Sequence, residues 1–135
     1  MAGMQRSTWA LAAVLCACGA SLSPAQVSDL RQQLRTAMNE EVPDRATRER
    51  HSRLLDEVAD KAELEGLTYP ELRAAFGPGL ACRNELCERY GFTGNDFYYP
   101  IGRESGEGVG QLPWLMIGLD PRGRVARVFT LTTHE

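Results

Sequence analysis

The chain is poor in the residues from which catalytic and metal sites are built. Its 135 residues hold two histidines, His51 and His134, far apart and in unrelated settings. A structural zinc wants four ligands, so no metal site and no cofactor are expected. Lysine is nearly missing: Lys61 is the only one among 15 basic residues, a skew that reads as nucleotide composition rather than chemistry. No apolar run approaches the roughly 20 residues of a membrane-spanning helix. The formal charge of −3 is mildly acidic and argues against a nucleic-acid or polybasic membrane surface. At this length the chain is one domain.

What is present begins with an address. Arg6 supplies a short positive segment, Trp9 to Ala17 is an unbroken apolar run of nine residues, and small residues follow. That is the pattern of a secretory signal peptide over residues 1–25. Ser23-Pro24-Ala25 offers small residues for cleavage before Gln26. Leu15-Cys16-Ala17-Cys18-Gly19 resembles a bacterial lipobox, which would lipidate Cys18 and anchor the protein to a membrane. Both processing routes remain open at this stage. Without Arg6 the balance is 14 basic against 18 acidic residues, a net charge of −4.

Residues 26–135 read as a single α+β domain. From Ser28 to Asn39, Val27, Leu30, Leu34, Ala37 and Met38 recur at helical spacing, thinly apolar, so that 26–43 is expected to be a loosely attached helix. Pro43 interrupts, and Asp44 can cap a second helix to about Glu65 with a stripe of Leu54, Leu55, Val58, Ala59 and Ala62. His51 falls on its charged face and is read as a surface residue. Gly66 to Gly79 is a short helix with both ends written in: Thr68 and Glu71 have capping-box spacing, Pro70 sits in the first turn, and Gly77-Pro78 stops it.

The remainder is stapled and strand-like. In an exported chain Cys82 and Cys87 are most simply a disulfide, closing a loop of six residues. Asp96–Ile101, Trp114–Leu119 and Arg124–Thr133 are aromatic, apolar and β-branched, joined by the glycine-rich loop Gly102–Gly110 and by the tight turn Asp120-Pro-Arg-Gly123. Two to three N-terminal helices are therefore expected to pack on a three-stranded antiparallel meander. Pro100 must stand at the edge or end of its strand.

No catalytic constellation emerges, so a non-enzymatic role is expected. The carboxylates are interleaved with arginines as on a solvated face, and Gly106, Gly108 and Gly110 lack the strand-to-helix setting of a phosphate loop. Phe97, Tyr98, Tyr99 and Trp114 are the candidate partner contacts, with the sheet's core face as their other reading. Alternation puts Phe97 and Tyr99 opposite Tyr98, so one reading cannot hold for all three.

Gly66-Leu-Thr, Glu71-Leu72, Phe76-Gly77, an aromatic strand, a Trp-led strand and the Asp120, Gly123, Val125 turn together resemble the small outer-membrane lipoprotein family of the β-barrel assembly machinery. Its superfamily includes the β-lactamase inhibitor protein, in which cysteines follow the Gly-x-Thr helix as Cys82 and Cys87 do here. The resemblance spans Gly66 to the C-terminus and departs from the family at Leu67, usually Met. It implies helices packed on a small antiparallel sheet. It also implies an exported envelope protein, periplasmic or anchored to the outer membrane, that scaffolds or modulates an assembly through a protein partner. The alternative is a secreted inhibitor or binding module acting on an enzyme through the sheet and the Gly102–Gly110 loop. No small-molecule substrate is evident from the sequence.

Overall fold

The computed structural model describes residues 24–105 and 110–132. The expectations placed on the signal run, the lipobox Cys18, the centre of the glycine loop and His134 lie outside the described residues.

The chain folds as α+β. Helix α1 (Pro24–Asn39) leads through the two-residue strand β1 (Glu41–Val42) to α2 (Arg45–Asp60) and the capped helix α3 (Tyr69–Phe76). Strand β2 (Leu80–Ala81), the short helix α4 (Glu85–Arg89), β3 (Phe97–Pro100), β4 (Arg103–Glu104), β5 (Trp114–Leu119) and β6 (Val125–Leu131) follow. The main sheet has four strands in the order β2-β3-β5-β6, antiparallel throughout. The expected three-strand meander is thus extended at one edge by Leu80–Ala81, too short to carry a strand signal of its own. A second, parallel pair joins β1 to β4, with Arg103 N–H donating to the Glu40 carbonyl at 2.9 Å.

Local chemistry sets the helix ends. Asp44 is extended and accepts from the Thr47 amide at 2.8 Å, starting α2 where its sequence permits. The helix stops at Asp60 rather than Glu65. Glu63 N–H reaches the Val58 carbonyl at 3.2 Å and Ala62 N–H the Ala59 carbonyl at 3.1 Å, a Schellman closure with Ala62 at φ 49°. Glycine normally takes that position, so alanine left no signal to read. For α3 the capping box is present: Glu71 N–H donates to Thr68 Oγ1, and Thr68 N–H donates back to Glu71 Oε1 at 3.1 Å.

Helices and sheet share one core. Leu34 and Ala37 of α1, Leu55 and Val58 of α2 and Leu72 of α3 pack with Phe97, Tyr99, Leu115, Ile117 and Val125 of the sheet's inner face. Leu34 is wholly buried, so α1 is an integral layer and not the loosely attached helix its sparse apolar stripe suggests. Three or four buried residues on a helix, each contributing about 1.5–3 kcal/mol of transfer free energy, are enough to dock it. Tyr69 and Phe76 meet Phe97 and Tyr99 edge to face, at centroid distances of 5.4 and 6.2 Å. The turn into β6 is built on Asp120, whose carboxylate accepts from the Arg122 and Arg124 amides, with Gly123 at φ 77°.

Candidate interaction surface

The sheet has a second, outer face, and it is only partly covered. Alternation along β3 turns Phe97 and Tyr99 inward, 6% and 5% exposed, and leaves Tyr98 half-buried on the other side. Phe97 and Tyr99 are therefore core residues and drop out as partner contacts. Tyr98 and Trp114 remain. They lie on neighbouring strands of the outer face, their rings stacked at 4.2 Å and 19°.

The segment after β2 covers the middle of that face. Cys82 and Cys87 are bonded to one another, their Cα atoms 5.4 Å apart, and pack with Phe92 against the fully buried Met116. Asn84 caps α4 by accepting from Cys87 N–H at 2.9 Å. Arg127 closes the far side: its guanidinium lies 4.2 Å from the Phe92 ring centroid and donates to the Gly91 and Tyr90 carbonyls. Cross-strand register sets Leu80 opposite Tyr98 and Leu131 opposite Trp114. Leu80 is 50% exposed, and Phe129, stacked on Tyr90 at 4.6 Å, is 36% exposed. Around the disulfide cover runs an apolar and aromatic margin: Leu80, Tyr98, Trp114, Leu131 and Phe129.

No protein-family model, curated protein or solved structure matches the chain.

A second cluster surrounds His51. His51 is 2% exposed, not the surface residue its charged neighbours suggest. Its Nε2 lies 3.6 Å from Glu40 Oε1, a carboxylate that Arg50 already engages, and neither ring nitrogen has a hydrogen-bond partner. Val42 and the main chain of Gly102 fill the space beside it: a Cβ on Gly102 would fall 2.4 Å from a Val42 methyl and 3.4 Å from His51 Nδ1. The signal was in the spacing. Arg48, His51, Leu55 and Val58 form one i, i+3, i+7, i+10 stripe, and all four are buried. Charged neighbours obscured it. Among the described residues no three His, Cys, Asp or Glu side chains are grouped as metal ligands, and no helix is long and apolar enough to cross a membrane.

Proposed function

We propose that the chain is a non-enzymatic, exported protein of the cell envelope that scaffolds or modulates an assembly by binding a protein partner on the outer face of its sheet. The observation that carries this reading is the Tyr98–Trp114 stack, half-buried and bordered by the exposed Leu80 and Phe129. Rigid aromatic side chains of this kind lose little conformational entropy on binding and are enriched among the residues that dominate interface energies. Apolar side chains gathered on one face, rather than scattered singly, are the kind of surface that a protein partner covers.

Export is supported by the N-terminal run Trp9–Ala17 and by the cysteine pair, which needs an oxidising compartment to persist. The order of elements from Gly66 onward, a capped helix, a cysteine pair and an antiparallel meander beneath helices, supports kinship with the lipoprotein and inhibitor superfamily. A secreted inhibitor would use the same face. The mature N-terminus separates the two: acylated Cys18 accompanies the anchored envelope protein, and unmodified Gln26 the secreted one.

The test is crosslinking capture from envelope fractions with wild type, Leu80→Asp and Trp114→Ala. The expected result is a partner recovered by wild type and lost by both variants, with the melting temperature of Leu80→Asp unchanged because that side chain is half in solvent. Recovery of the protein alone, or of the same partner by both variants, overturns the proposal.

A further inference from the structure

The groove between α1 and α2 lies away from the outer sheet face, and the protein-contact reading leaves it without a role. Its volume is about 400 Å³, inside the roughly 300–1,000 Å³ typical of small-molecule sites. Ala37 and Leu54 form an apolar floor, and the buried His51, neither of whose ring nitrogens has a hydrogen-bond partner, is also among its lining residues.

The charge on its rim decides what fits. Arg50 is bonded to Glu40, and Lys61 holds Glu57 at 2.9 Å, so both carboxylates and one of the two guanidiniums are already compensated. Gln33 is likewise occupied, donating to Asp29 at 2.7 Å. What is left is Arg53, exposed on the rim and without a hydrogen bond or ion pair among the described residues, and the equally uncommitted Gln32 and Thr36. The groove therefore offers one uncompensated cation, two neutral hydrogen-bonding groups and an apolar floor.

We propose that it binds a small amphipathic monocarboxylate, with the apolar body of the ligand on Ala37 and Leu54 and its carboxylate on Arg53. A guanidinium presents a planar fork that matches a carboxylate with two parallel hydrogen bonds. A dianionic phosphate would set two charges against a single free cation beside the Glu40 and Glu57 carboxylates. A cationic ligand would have to displace Arg50 or Lys61 to find a partner.

The experiment titrates the protein with octanoate below its micellar concentration and follows the Leu54 methyl and His51 ring resonances. The expected result is saturable shifts at both, weakened by about tenfold or more in Arg53→Gln, with 1-octanol binding no tighter than octanoate binds that variant. Thr36→Trp, at an exposed helix position, fills the groove and should abolish the shifts while leaving the fold intact. Absence of saturable shifts, equal affinity in Arg53→Gln, or shifts confined to Tyr98 and Trp114 on the outer face overturns the proposal.

Discussion

The Tyr99 hydroxyl donates to the Gly77 carbonyl at 2.7 Å, tying the end of α3 to the inner strand of the sheet. Burial pushes the Tyr99 phenol up to about 12, and the neighbouring Tyr69 adds to the shift. The neutral phenol is the form the fold favours. Its contribution to stability is present below the ordinary tyrosine value of 10.0 and is lost as pH rises from there toward 12. Thermal unfolding between about pH 9 and pH 11.5 should show a steep alkaline loss in wild type that Tyr99→Phe flattens. At neutral pH the same variant should be less stable by about 1 kcal/mol, because the Gly77 carbonyl loses its donor.

Ala62→Gly should stabilise the protein. Ala62 holds φ 49° at the position after the α2 cap, a conformation its Cβ resists. Removing the Cβ relieves about 1 kcal/mol of left-handed strain, less the added flexibility of glycine in the unfolded chain. Urea unfolding should show a higher midpoint with an unchanged slope. A lower midpoint would mean that the methyl makes packing contacts worth more than the strain.

Thr68→Ala should cost about 1 kcal/mol, the usual loss on removing a threonine cap. The capping box also has an acid dependence. The Thr68 amide, and then its hydroxyl, hold the Glu71 carboxylate below its ordinary range. That stabilisation is present above the ordinary carboxylate value and fades as pH falls through the lowered one. Glu71→Gln should therefore flatten the acid limb of the stability profile relative to wild type.

Reduction of Cys82–Cys87, or the double Cys→Ser variant, should leave the fold intact and lower stability by about 2 kcal/mol at most, since the closed loop is short. The damage should be local. Amide exchange should rise over residues 82–92 and at Met116, the parts of the chain packed around the disulfide, and change little at Leu115 and Ile117 on the inner face. Global unfolding on reduction would show instead that the cover of the outer face is required for the sheet to form.

How much of this could be read from the residues differs from element to element. Thr68, Glu71, Pro70 and Gly77 declare α3 completely, because caps are local and each residue has one job. Asp120 and Gly123 declare the turn before β6 in the same way. The end of α2 is hidden because Ala62 occupies a glycine's place, and α1 is underrated because the burial of Leu30, Leu34 and Ala37 depends on what they meet. β5 carries a further signal. A strand apolar almost throughout from Trp114 to Leu119 is buried on both faces, which calls for a second cover, and the disulfide segment is that cover. For the candidate surface, the choice among Phe97, Tyr98, Tyr99 and Trp114 needed the inward direction of β3, which alternation alone cannot assign.

The sequence by itself determined the start of α2, both ends of α3, the β6 turn and the cysteine pair, each set by interactions within a few residues along the chain, and the periodicity of its segments determined the α+β class. Only the tertiary structure decided which face of β3 points inward, that Leu80–Ala81 adds a fourth strand, that β1 pairs with β4, and that His51 is buried beside Glu40 and Gly102. Each of these depends on partners distant in sequence. Their energies come from desolvation and close packing, which no single segment can specify until the others have docked against it.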